Sequence, residues 1–216
     1  MSYSANYPEY DVRDYFETIV SSDMFNNKSV LDFGCNRANF LRFTTHNGSY
    51  TGVDIYEPII TSNKTEFSSH TFIHYDGYNQ MYNPSGTASI PVFNNHDIGI
   101  MFSVANHMKI TDLKNTINHL NQYCDKLYVT YFSSHNSYGY DRATSFRNLA
   151  SDGWSSIEDE DYYYQTAPNN LMWSYYADSY LQTQTGADSI IDEPTKYTRE
   201  NDLRGCMKCL VFNNAT

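Results

Sequence analysis

Charged residues make up only 18% of this 216-residue sequence, and the basic ones are the scarcer, with 14 Lys and Arg against 25 Asp and Glu and a formal net charge of −11. No basic run occurs, so the clustered cations that neutralise phosphates are missing, and nucleic acid is disfavoured as a substrate. Long apolar runs are lacking too, and none approaches the ~18 residues of a membrane-spanning helix. The opening residues MSYSANYPEY hold neither a basic stretch nor an apolar core, so no signal peptide is expected and a cytoplasmic protein is. Cysteine is limited to Cys35, Cys124, Cys206 and Cys209. The Cys206/Cys209 pair falls on an expected strand, where positions three apart face opposite sides, and has no second pair or His partner. Reduced structural thiols are expected, and no metal site.

What the chain does hold suits a packed core. Hydrophobic residues reach 40%, and 216 residues suggest a single domain of α/β size. Aromatics reach 16%, with 21 Tyr, which fits half-buried surfaces or a pocket lined by phenols.

One stretch organises the rest. Val30-Leu31-Asp32-Phe33 is an apolar run of the kind a buried parallel strand needs. The chain then turns through Gly34-Cys35-Asn36-Arg37-Ala38 into a helical pattern with Phe40, Leu41 and Phe43, followed by a second strand, Tyr50 to Val53, ending on Asp54. Strand, tight turn, helix and acid-terminated strand form the layout of a nucleotide-binding unit. Gly34 lets the backbone approach a ligand, Asn36 tolerates a left-handed angle, and Ala38 is small enough for close packing. Asp54 can accept two hydrogen bonds from a ribose diol. A ligand-free strand-turn-helix would carry similar letters.

Around this unit, Asp11 to Phe25 reads as a helix with Val12, Tyr15, Phe16, Ile19 and Val20 inward; Met1 to Tyr10 is a frayed tail or a flap carrying Tyr3, Tyr7 and Tyr10. Further strands are expected at Thr71 to Tyr75, His96 to Ser103 and Lys126 to Phe132, with a long loop at Tyr78 to Asn95 and an amphipathic helix at Ile110 to Tyr123. Strand and helix alternate five times, which predicts a parallel sheet, helices on both faces and a crevice at the carboxyl ends of the strands. The run Glu158 to Tyr164 is a solvated face or a site for a cationic acceptor. The spacing of Leu171, Met172, Tyr175, Tyr176, Tyr180 and Leu181 predicts a helix over Asn169 to Thr185, stopped by Gly186. Two strands, Asp188 to Asp192 and Cys206 to Phe212, close the chain.

The organising stretch resembles motif I of the class I (Rossmann-like) S-adenosylmethionine-dependent methyltransferases, an acidic residue followed by Gly-x-Gly-x-Gly. Asp32 is the acid here, and the glycine positions fall on Gly34, Asn36 and Ala38, so two of the three are mildly replaced. The resemblance spans nearly the whole chain. It implies an α/β fold with a Rossmann-like, seven-stranded, mostly parallel sheet, helices on both faces and a C-terminal antiparallel hairpin. One domain would cover residues 1–216, with 1–25 as an N-terminal cap and 133–168 as a substrate-side insertion.

The resemblance also implies S-adenosylmethionine as cofactor, with Asp32, Gly34, Cys35, Asn36 and Ala38 at its methionine portion and Asp54 on the ribose. Ile55, Tyr56, Asp76 and Gly77 would border the adenine, and Ser103 the reacting methyl; Asp76-Gly77 also reads simply as a turn pair. His107, past the fourth strand, is a candidate general base or a structural histidine. His135 is a second candidate for catalysis, and Tyr138, Tyr140 and Arg142 are candidates for binding the acceptor. The implied reaction is methyl transfer to an oxygen or nitrogen of a small molecule. A nucleic-acid or protein methyltransferase is an alternative, although Phe102-Ser103-Val104-Ala105 lacks the Asn/Asp-Pro-Pro-aromatic and Pro-Cys signatures of DNA enzymes. A SAM-binding protein that does not catalyse is another.

Overall fold

Val30–Phe33 forms strand β1, with all four side chains buried. The computed structural model of the chain describes residues 22–44, 46–79, 82–133, 155–158, 162–166, 172–191 and 207–214. In it β1 lies between β2 (Tyr50–Asp54) and β4 (His96–Met101), parallel to both. β3 (Thr71–His74) continues outward from β2, and β5 (Cys124–Ser133) from β4, again in parallel. The chain therefore builds one half of the sheet through β3 and then crosses β1 to build the other. The order reverses between β1 and β4, and the carboxyl ends of strands at such a switch point are where open α/β sheets bind ligands.

Alternation along β1 sends Val30 to one face and Leu31 and Phe33 to the other. Val30 joins Phe40 of α1 (Asn39–Phe43) and Ile60 of α2 (Glu57–Glu66) in one core cluster. Leu31 and Phe33 join Leu113, Ile117 and Leu120 of α3 (Ile110–Leu120) and Leu181 of α4 (Asp178–Thr185) in a second. Helices thus cover both faces, as expected, and each fully buried Leu, Ile or Phe contributes roughly 1.5–3 kcal/mol. Of the expected first helix, only Ser22–Phe25 lies within the described residues. It is a single 3-10 turn, and Phe25 packs edge-on against Phe40 at 4.7 Å. Among the described residues between β3 and β4, 75–79 and 82–95, no regular element occurs beyond a bridge between Asn79 and Asn83.

The region after β5 departs from the sequence reading. Met172–Tyr176 is a strand, β8, and only α4 is helical; Gly186, at φ 74, ends it as expected. Two short clusters of apolar residues do not distinguish period 3.6 from period 2. The sheet decides, since Tyr175 and Tyr176 pair in parallel with Phe132 and Ser133, and β8 pairs antiparallel with β7 (Tyr162–Thr166). β7 in turn pairs with β6 (Ser155–Glu158), so the acidic, tyrosine-rich run straddles a hairpin, with residues 159–161 outside the described ones. With these three, the described residues form ten strands where seven were expected. The other seven include the closing antiparallel pair, β9 (Ser189–Ile191) with β10 (Met207–Asn213), and β10 also lies antiparallel to β5.

The position of β8 follows from register. Phe132 faces Met207 of β10 across one edge of β5, so its pairing with Tyr175 uses the other edge, the one β4 occupies as far as Val129. β8 therefore takes over the edge that β4 leaves. There it packs over the 3-10 turn Ala105–His107, and Ser174 Oγ and Tyr176 OH each donate to the Met108 carbonyl at 2.7 Å.

Asp178, the first residue of α4, ties this corner together. Its carboxylate accepts from Tyr131 OH at 2.8 Å, Ser133 Oγ at 2.6 Å and Lys208 Nζ at 2.6 Å. Burial acts to raise its pKa, but the bonds from Lys208, Ser133 and Tyr131 outweigh that and hold it below the usual value. A depressed acid stabilises the fold above its unfolded pKa of about 4 and loses that contribution as the pH falls through the lowered native value. Asp178→Ala should cost about 2 kcal/mol at neutral pH, from hydrogen bonds to a charged group. Urea unfolding should show the gap to wild type narrowing in acid.

Candidate functional site

The turn after β1 is held from below by one carbonyl and from the side by one carboxylate. Gly34 N and Cys35 N both donate to the Val53 carbonyl, at 2.8 and 3.0 Å, pinning the start of the turn to β2. Asp54, at the end of β2, accepts from Asn36 N with one oxygen and from Tyr56 N with the other, both at 2.9 Å. One buried side chain so links the loop after β1 to the loop after β2. Burial raises the Asp54 pKa, opposed by the backbone bonds from Tyr56, Asn36 and Ile55.

Three positions of the turn have left-handed backbone. Gly34 has φ 84, Asn36 φ 47 and Ala38 φ 54. These are the positions that resemble the three glycines of motif I, so the replacements preserve a glycine-like path. Ala38 has helical neighbours but sits in a region that costs an L-residue about 1–2 kcal/mol. At Gly34 the restriction is also spatial, because a Cβ there would lie 2.3 Å from Val104 Cγ2. That closeness brings the loop after β4 against the loop after β1.

Side chains beneath the turn complete the cradle. Asn63 of α2, 1% exposed, donates to the Asn36 carbonyl at 2.7 Å. The sequence reading gave it no role in the site; a polar residue at helical spacing from Ile59 and Ile60 was the available signal. Cys35 points inward, its Sγ 4.0 Å from Asn63 Nδ2, so only its backbone borders the crevice. Asn36 Oδ1 is buried without a hydrogen-bond partner.

Asp32 lies just below, accepting from Tyr50 OH at 2.7 Å. Burial, with the Tyr50 bond opposing and the Asp54 charge adding, pushes its carboxyl up to about 7.

The loop after β3 supplies Asp76 and Gly77. The Asp76 carbonyl accepts from Thr87 N and Ala88 N, and Asn83 Nδ2 donates both to Asp76 Oδ1 at 2.8 Å and to the Gly77 carbonyl. Asn83, missed by the sequence reading, therefore shapes this loop. Past β4, Ser103 has φ 56 and donates its N–H to Thr130 Oγ1 at 2.9 Å. His107 is 7% exposed, with Nε2 3.3 Å from Tyr82 OH and 3.0 Å from Asn106 Nδ2.

Asp32, Gly34, Cys35, Asn36, Ala38, Asp54, Ile55 and Tyr56 thus gather around one turn, with Ser103 on the adjoining β4 loop. Asp76 and Gly77 follow β3, and His107 lies deeper, behind Tyr82. His135, Tyr138, Tyr140 and Arg142 lie outside the described residues. Among the described residues no group of three or more His, Cys, Asp or Glu is placed to hold a metal, and no helix is long and apolar enough to cross a membrane.

No protein-family profile matches the chain, and no curated protein matches it by sequence. Solved structures do. The PH0226 protein of Pyrococcus horikoshii OT3 superposes with a TM-score of 0.63 at 14% identity, covering 96% of this chain and 92% of that one. Magnesium protoporphyrin IX methyltransferase of Synechocystis PCC 6803, with bound SAH, gives 0.56 at 12% identity over 94% and 80%. The N-methyltransferase NodS of Bradyrhizobium japonicum WM9, in complex with S-adenosyl-l-homocysteine, gives 0.57 at 8% identity over 98% and 90%. The architecture is the Rossmann-like fold of class I S-adenosylmethionine-dependent methyltransferases.

Two outcomes test this reading of the site. Ala38→Gly should leave stability within about 1 kcal/mol of wild type, since relieved strain offsets added chain entropy, whereas Ala38→Val should cost more than about 2 kcal/mol in denaturant unfolding. Because the fold holds the Asp32 proton, this group makes stability fall as the pH rises from about 4 to about 7. Asp32→Asn should therefore flatten the difference between denaturation midpoints measured at about pH 5 and about pH 8.

Proposed function

We propose that the protein is a methyltransferase that uses S-adenosylmethionine and acts on an oxygen or nitrogen of a small molecule, in the cytoplasm. The observation that carries this reading is the left-handed path at Gly34, Asn36 and Ala38, clamped by Asp54 at the switch point of the sheet. A dinucleotide is the poorer fit, because two of its phosphate-cradling glycines would be missing. The cofactor supplies an electrophilic methyl group on a sulfonium.

The residues present suit that group. The backbone of Gly34, Cys35, Asn36 and Ala38 would lie against the methionine portion. Asn36 Oδ1, buried and without a partner, would accept from its ammonium. Asp54 retains lone pairs for ribose hydroxyls. Ile55, Tyr56, Asp76 and Gly77 would border the adenine, and Ser103 the reacting carbon.

Residues 133–168 form the acceptor side in this reading, with His135, Tyr138, Tyr140 and Arg142 as contacts. Support comes from β8, which follows this segment in sequence and packs over Ala105–His107. Residues 1–25 would cap the same single domain. The protein's main contribution to rate would be to hold the two reactants at attack distance, an effect that can supply several kcal/mol. The acidic balance of the chain argues against a nucleic-acid acceptor.

Isothermal titration of S-adenosylhomocysteine tests the reading. Wild type should bind in the micromolar range, and Asp54→Ala should weaken binding tenfold or more, about 1.4 kcal/mol. Absence of binding by wild type would overturn it.

A further inference from the structure

The sequence draws attention to His107, but the structure puts another residue in front of it. Tyr82, in the segment after β3, is 39% exposed, whereas His107 is 7% exposed. The tyrosine ring meets the imidazole edge-on, with centroids 5.2 Å apart and planes at 85°, and its hydroxyl lies 3.3 Å from Nε2. Asn79 steadies the pair, its Nδ2 donating to the His107 carbonyl at 3.3 Å. Both side chains stand at the carboxyl end of the sheet, where the loops after β3 and β4 meet.

Asn106 adds the informative detail. It is 2% exposed, its Nδ2 faces His107 Nε2 at 3.0 Å, and its Oδ1 is buried without a partner. An amide that donates to Nε2 requires a lone pair there, which puts the imidazole hydrogen on Nδ1. Turned over, the same amide would accept from a protonated Nε2. One rotation of Asn106 thus serves both charge states of the histidine.

We propose that Tyr82 is the catalytic residue that takes the acceptor's proton, that His107 receives it, and that the acceptor is a phenol-type hydroxyl. This rests on the methyltransferase reading above. In the step, the acceptor oxygen bonds to the methyl carbon while the sulfur–methyl bond breaks, its electron pair remaining on the sulfur as a neutral thioether. Asn106 first turns its amide N–H away from Nε2 and frees the single lone pair there; the acceptor proton then passes to the Tyr82 oxygen as the Tyr82 proton passes to His107 Nε2, and the positive charge lost at sulfur reappears on the imidazolium. A carboxylate acceptor has no proton to lose and needs no relay. An aliphatic alcohol is a far weaker acid than a phenol and yields its proton to such a relay less readily. A phenol acceptor is the same kind of acid as the tyrosine, so a proton handed from one to the other changes little in energy.

The test combines spectroscopy with methyl transfer. Nitrogen-15 NMR of the wild type at neutral pH should show His107 with its hydrogen on Nδ1; a hydrogen resident on Nε2 would overturn the relay. Wild type given methyl-labelled S-adenosylmethionine and a panel of alkyl-substituted phenols and primary amines should label phenols. Tyr82→Phe should lower that rate about 10²-fold or more while S-adenosylhomocysteine affinity and the unfolding midpoint hold. Full rate in Tyr82→Phe, label only in amines, or no labelled phenol from an enzyme that binds S-adenosylhomocysteine would each overturn the inference and leave the cofactor reading standing. Failure of wild type to bind S-adenosylhomocysteine would overturn both.

Discussion

Asp54 holds two loops that would otherwise be independent. Its carboxylate oxygens take one N–H from the turn after β1 and one from the turn after β2. The first of these turns contains two non-glycine residues at positive φ, a conformation the local sequence does not favour and that persists where the surroundings over-determine it. The Val53 carbonyl, the Asn63 amide and Asp54 provide that over-determination. A turn shaped in advance loses little freedom when a ligand arrives, so more of the contact energy appears as affinity.

The same clamp has an electrostatic side. Asp54 and Asp32 are each 5% exposed, and burial raises both pKa values. Tyr50 relieves Asp32 by donating to it, and backbone N–H groups relieve Asp54.

β8 solves a packing problem set by the sheet. β4 ends at Met101, and the next residues turn away toward Gly34, so another strand is needed to continue the sheet along the upper edge of β5, where unpaired backbone groups would be costly. Ser103 N satisfies the Thr130 hydroxyl, and β8 then fills the edge at Phe132 and Ser133. By doing so β8 also covers the turn that carries Asn106 and His107. Asp178, bonded to Tyr131, Ser133 and Lys208, returns the chain to the main fold.

Local pattern alone determined the five parallel strands, the helices between them and the closing pair, because apolar runs and helical spacing are short-range properties. It also located the turn at Gly34 to Ala38 and the acid at Asp54. It misassigned Met172–Tyr176, because strand and helix compete on equal terms in a five-residue aromatic cluster until a partner strand is present. Nor could it show that Asn36 and Ala38 keep the glycine path, that Asn63 and Asn83 shape the loops, or that Tyr82 stands before His107. Those depend on residues 6 to 27 positions apart in sequence meeting in space. Only the tertiary structure brings such distant backbone and side-chain groups within hydrogen-bond reach.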